Sequence, residues 1–211
     1  MSKLRHTDRA ARRVARIALA VWAPCVLVVV ASLAVAHWAQ LPLPETRDGR
    51  LVRALERTSG RTVEGRWSMW HVLYEDCPCS LDAIDDVLAS ERPADLDEHV
   101  LLVGRDDDLA ERLRGAGIAL HAVSADDLER SFGIVAAPLL VVVDPSGAVR
   151  YAGGYRARRD AFGVEDLAIL DRLRDGAEVE PLPIFGCGVS ATVQASVDPF
   201  GLKYDREEAR R

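Results

Sequence analysis

From Ile17 to Ala39 the chain reads IALAVWAPCVLVVVASLAVAHWA, 23 residues without a formal charge. Nothing else in the sequence restricts the fold as strongly. A helix rising 1.5 Å per residue over that length spans a hydrocarbon core of about 30 Å. Trp22 and Trp38 lie towards its two ends, where amphipathic rings favour the interface. Pro24 breaks the hydrogen-bond ladder locally, which membrane helices tolerate. Ahead of the run stand Lys3, Arg5, Arg9, Arg12, Arg13 and Arg16 against one acid, Asp8. Such a basic flank stays in the cytoplasm, so residues 40 to 211 are expected on the far side of the bilayer. A cleaved signal peptide is the competing reading, because Ala34-Val35-Ala36 resembles a cleavage site. The apolar run is longer than the roughly 7–15 residues usual for such peptides. A buried helix of a soluble protein is a third reading. The first two both deliver the body to a compartment where disulfides persist.

The net charge of −6, with the basic residues gathered at the head, argues against a nucleic-acid partner. Of four cysteines, Cys25 lies inside the apolar run and reads as a small packed side chain. Cys77, Cys79 and Cys187 remain outside it. An odd number allows one internal disulfide at most and leaves one thiol over, which suits chemistry better than a structural framework.

Residues 40–47, QLPLPETR, read as a linker, and DGRLVRALERTSG as a short helix stopped by Gly60. Beyond them two periods alternate. MWHVLYE (69–75), EHVLLVG (98–104), IALHAVS (118–124), LLVVV (139–143) and AVRYAG (148–153) predict strands. SLDAIDDVLAS (80–90), with Ser80 as N-cap, DDLAERLRGAG (107–117), ADDLERSFGI (125–134) and VEDLAILDRLRDG (164–176) predict helices. DPSG at 144–147 has the residues of a type I turn, which makes the last two strands a hairpin. The tail from Pro181 looks irregular. The order predicts an α/β fold, a mixed sheet flanked by helices, preceded by one transmembrane helix. The division expected is 1–16 basic cytoplasmic tail, 17–39 transmembrane helix, 40–64 linker with a short helix, 65–176 main domain and 177–211 C-terminal extension carrying Cys187.

Cys77 and Cys79 fall where the first strand meets the first helix. Unsatisfied N–H groups and the helix dipole favour a thiolate there. Glu75 and Asp76 oppose it, and no Lys or Arg occurs between Arg66 and Arg92, so the expectation is a modest depression of the thiol pKa. A Cys77–Cys79 disulfide would close a very small, strained ring through Pro78, and strained disulfides are readily reduced. Cys77 could pair instead with Cys187, whose neighbours Gly186 and Gly188 permit close backbone approach. His71 reads as an ordinary strand residue, and His121 is given no role.

The strand before Cys77, the helix after Cys79 and GIVAAPLLVVVDPSGAVRYAGGY at 133–155 resemble the thioredoxin-like (redoxin) superfamily over residues 65 to 176. HVLYEDCPCS with FGCGVS is similar to a membrane-anchored bacterial subgroup with a Cys-Pro-Cys motif. The resemblance implies that Pro138 is a cis-proline beside the active-site sulfur and that Ala137 and Pro138 shape the substrate groove. It implies a thiol–disulfide oxidoreductase or redox relay, with Cys77 attacking and Cys79 or Cys187 resolving. No cofactor is called for. The partners implied are a protein thiol or disulfide client and the lipid bilayer around 17–39. The address implied is the inner (cytoplasmic) membrane, single-pass, with the C-terminal domain periplasmic. The spacing departs from the usual two residues between cysteines, and Asp76 stands where a Trp is usual. A non-enzymatic reading on the same fold uses Cys77, Cys79 and Cys187 as thiolate ligands for Cu(I) in copper delivery. No histidine follows His121 to complete the usual copper set. A redox-sensing role is a further alternative.

Overall fold

The computed structural model describes residues 2–38, 40–47, 49–60, 65–199, 201 and 204. It divides into two units, Gln40–Ser196 and Met1–Ala39 with Val197–Arg211. In the second, α1 runs from Ser2 to Trp38 with Pro24 inside it. Its Arg13–Ala31 window is long and apolar enough to cross a membrane, and its described side chains are almost all exposed.

The larger unit is built on a five-stranded mixed sheet. Its strands are β1 (Ser68–Tyr74), β2 (Asp97–Val103), β3 (Ala119–Val123), β5 (Leu139–Val143) and β6 (Val149–Gly153), in the order β3-β2-β1-β5-β6. β1, β2 and β3 are parallel, and β5 and β6 are antiparallel additions. The crossovers are α3 (Pro78–Ala89) and α4 (Asp107–Gly115). Short α5 (Ala125–Asp127) then runs into a π-helical turn (Leu128–Phe132) and leads back to the sheet. Helix α6 (Asp166–Arg174) follows β6.

Alternation along the strands sorts the core into two layers. Met69, Leu73, Val100, Leu102, Leu140, Val142 and Tyr151 share one cluster with Ala83, Ile84 and Val87 of α3, Leu109 and Leu113 of α4, and Ile169 and Leu170 of α6. The intervening residues Trp70, Val72, Leu101, Val141 and Val143 are equally buried. Helix α2 (Arg50–Ser59) packs on the π turn, and Leu51, Leu55, Leu128 and Phe132 bury their side chains outside the first cluster. Full burial of one such side chain is worth about 1.5–3 kcal/mol. The segment read as a linker therefore contributes core, and Leu41 also bridges to Ile184 of the tail.

The hairpin forms as its turn residues predict. The Asp144 carboxylate accepts from the N–H groups of Ser146 and Ala148 at 2.9 and 3.1 Å, and Gly147 takes φ 82°. The tail is more ordered than its composition suggested. It carries β7 (Cys187–Gly188), paired antiparallel with β4 (Ala136–Ala137), and then α7 (Ala191–Val197).

Candidate active site: three thiols at a strand-to-helix junction

β1 and α3 deliver the first two sulfurs. The helix starts earlier than the Ser80 cap implied. Pro78 occupies the first turn, where its missing N–H costs nothing and its φ suits the helix, and Cys77 is the N-cap. The carbonyl of Cys77 accepts from Ser80 N–H at 2.8 Å and Leu81 N–H at 3.3 Å. Ser80 instead ties helix to strand, its Oγ accepting from Tyr74 N–H at 3.1 Å. Glu75 turns away and accepts from Arg105 N–H at 2.6 Å, lying against Gly104.

The third sulfur comes from the tail. The β4–β7 register sets Ala137 opposite Cys187 and Ala136 opposite Gly188. Val189 N–H continues the pairing to Val135 O at 2.8 Å. The approach is close enough that a Cβ on Gly186 would sit 1.9 Å from Ala137 O and 2.6 Å from Pro138 Cδ. Only glycine fits there. The Ala137–Pro138 bond is cis, and Cys77 Sγ lies 3.8 Å from Ala137 O.

All three residues are in the thiol form. Cys77 is in side-chain hydrogen-bond contact with both Cys187 and Cys79, so it is the middle sulfur. Cys77 is 0% exposed and Cys187 4%, whereas Cys79 is half-buried. The modest pKa depression expected at this junction is not found. The Cys77 thiol is pushed up, chiefly by donating to Cys187 and also by burial, against the opposing contact from Cys79 and the Ser80 N–H. Cys79 is pushed up by its hydrogen bond to Cys77, by burial and by the neighbouring Cys77 charge. Helix N–H groups are outweighed because three like ionisable groups share one buried site, where only one negative charge is readily held. Arg159 opposes the shift at Cys79. It arrives from the loop after β6, 80 residues along the chain, where no local charge count could find it.

Cys79 opens on a small cleft of about 50 Å³ lined by Ala83, Pro138, Tyr155, Arg156, Arg159 and Phe185. Sequence reasoning missed both arginines and Phe185; the only signal was an arginine-rich stretch, YRARRD, directly after a strand. Among the described residues no group of three or more His, Cys, Asp or Glu side chains converges as a metal-binding set. The three sulfurs form a hydrogen-bonded chain through Cys77.

His71 is wholly buried, and the structure gives it partners. Its Nδ1 meets Tyr155 Oη at 2.8 Å and its Nε2 meets Glu98 Oε1 at 3.2 Å. Arg92 clasps Glu98 through Nε at 3.0 Å to both oxygens and through Nη2, and its Nη1 lies 2.8 Å from Asp166 Oδ2. On the other face Trp70 stacks on His99 with centroids 4.1 Å apart, and His99 Nδ1 meets His121 Nε2 at 3.2 Å.

No protein-family model and no curated protein matches the chain. Solved structures do resemble it. A hypothetical protein from Sinorhizobium meliloti 1021 is 16% identical with a TM-score of 0.45, over 60% of this chain and 80% of that one. The exposed lipoprotein thioredoxin Etrx1 of Streptococcus pneumoniae is 14% identical with a TM-score of 0.38, over 54% and 87%. StoA of Bacillus subtilis is 10% identical with a TM-score of 0.34, over 42% and 73%. The fold is thioredoxin-like: a mixed sheet flanked by helices, with a cysteine capping the helix after the first sheet strand and a cis-proline beside its sulfur.

Proposed function

We propose that the chain is a membrane-anchored, extracytoplasmic thiol–disulfide oxidoreductase or redox relay that works through Cys77 with Cys79 or Cys187. The observation that carries this reading is the position of Cys77. Its sulfur touches two further thiols, so a disulfide formed on any one of them can pass to the next without a third molecule. Pro138 lines the cleft on which Cys79 opens, with Ala137 behind it paired to Cys187, and a protein thiol or disulfide is the client. Anchoring is supported by the apolar window in α1. The periplasmic orientation is supported by the six basic residues that precede it.

The test is disulfide mapping by mass spectrometry on the full chain in detergent, acid-trapped after equilibration in graded thiol buffers. The expected result is a disulfide that opens and closes near the poise of an oxidising compartment. Replacing Cys77→Ser should abolish turnover with a disulfide client. Full disulfide-exchange turnover in that variant, or three thiols that never pair, would overturn the reading.

A further inference from the structure

The three sulfurs differ in what can reach them. Cys77 and Cys187 are closed off, at 0% and 4% exposure, and Cys79 faces the cleft. The main-chain edge beside Cys77, Ala136–Ala137, is already paired with Gly188 and Cys187 of the tail. An extended peptide cannot lie along that edge without lifting β7. A reagent entering the cleft between Pro138, Phe185 and Arg159 meets Cys79 and no other sulfur.

We propose that Cys79 is the sulfur that exchanges with the client, that Cys77 passes the bond inward, and that Cys187 holds it, the client being a disulfide with an anionic flank towards Arg159. This rests on the exchange reading above and reverses the order in which Cys77 attacks first. The steps balance. Cys79 loses its proton to solvent, and its sulfur attacks one sulfur of the client; a Cys79–client disulfide forms, and the second client sulfur leaves and takes up a proton. Cys77 then attacks Cys79; the Cys77–Cys79 bond forms, and the first client sulfur leaves with the Cys77 proton. Cys187 attacks Cys77; the Cys77–Cys187 bond forms, and Cys79 leaves as a thiol with the Cys187 proton. The client has gained two electrons, and Cys77 and Cys187 have lost two. A dithiol donor running the same steps backwards restores the three thiols.

The contact pattern enforces that order. Cys77 touches both other thiols, so it bridges the cleft-facing sulfur and the buried Cys187. The middle step closes the small Cys-Pro-Cys ring, whose strain favours onward transfer to Cys187. Arg159 shares the cleft lining with Cys79, where its charge partly offsets the upward pull on that thiol and attracts a carboxylate on the incoming disulfide.

The test uses the full chain in detergent with glutathione disulfide, which is anionic, and cystamine, which is cationic, as probes. Rapid acid quench and peptide mapping identify the first sulfur modified. The expected result is a glutathione adduct that accumulates on Cys79 in Cys77→Ser, and loss of the fast phase in Cys79→Ser. Cys79→Ala is run beside it, with thermal unfolding confirming that both variants fold. Arg159→Gln should slow the anionic probe several-fold relative to the cationic one. A first adduct on Cys77, with the fast phase intact in Cys79→Ser, would overturn this order and leave the exchange reading standing. An unchanged probe ratio in Arg159→Gln would overturn the anionic client. No adduct on any of the three would overturn the exchange reading itself.

Discussion

Two polar clusters are buried in this domain, and they are assembled on opposite principles. The network of His71, Tyr155, Glu98, Arg92 and Asp166 sets unlike groups against one another. The cluster of Cys77, Cys79 and Cys187 sets three identical groups together. In the first, each charge has an opposite partner. Burial alone would push the Glu98 carboxyl up, but hydrogen bonds from His71 and Arg92 bring it to about 2. Arg92 is held charged in the same way: Glu98 and Asp166 outweigh burial. In the second, Cys77 and Cys79 each hold their proton against a neighbouring thiol that can also ionise, and Arg159 only partly offsets this at Cys79. A complementary cluster fixes a fold. A uniform one stays ready to rearrange its bonds.

That contrast can be broken at several points. The largest expected effect is in the charged network. Arg92→Met leaves Glu98 and Asp166 buried without their cation and should cost about 3–5 kcal/mol of stability, read by denaturant unfolding. The order in which the three sulfurs pair should survive. A variant of unchanged stability would mean that the network does not hold the two sheet strands and α6 together.

A pH series sharpens the comparison next, because the two clusters should fail at opposite ends. Glu98 sits at about 2 against an ordinary 4.5. Its contribution is whole above about 4.5 and drains as pH falls towards 2, on the order of 3 kcal/mol at most. Cys77 is shifted the other way, above its ordinary 9.0. The unfolded chain ionises first there, so stability is intact below about 9 and declines as pH rises further. Unfolding free energies followed across both limbs should show the alkaline limb made shallower by Cys77→Ser, the remainder left by Cys79, Tyr151 and Tyr155, and the acid limb untouched. An alkaline limb of unchanged slope would assign it wholly to those other groups.

The smallest expected effect on stability comes from Gly186→Ala. The added Cβ meets backbone at 1.9 Å, so the tail must shift. A cost of about 1–3 kcal/mol is expected from overpacking. The redox consequence should be larger than the energetic one: Cys187 loses its register with Ala137, and the Cys77–Cys187 disulfide becomes rare in thiol-trapping maps. Normal yields of that disulfide would show that the β4–β7 pairing does not position Cys187.

What the sequence disclosed followed from how local each signal was. LLVVV at 139–143 and the DPSG turn form as expected because composition and turn chemistry act over a few residues. Helix α3 was legible, but its start was not. Ser80 looked like a cap, whereas Pro78 at the first turn carried the better signal. Strand β7 was invisible because two residues, one of them a glycine, have no period, and their register is set by Ala136–Ala137 some 50 residues away. The partners of His71 lie 27 and 84 residues further along the chain, so its role as a junction of buried charge could not be read from β1 alone. The upward shift of the thiols was missed for the same reason: its first cause at Cys77 is Cys187.

The tail pairing also has a history in time. Cys77 and Cys79 leave the ribosome together, and Cys187 follows 108 residues later. At about 5–20 residues per second, synthesis leaves them without it for roughly 5–20 s. Throughout that interval each nascent chain has one intramolecular choice, the cramped ring through Pro78. The arrival of β7 at Ala136–Ala137 is therefore the moment at which an immature pair of thiols becomes a set of three.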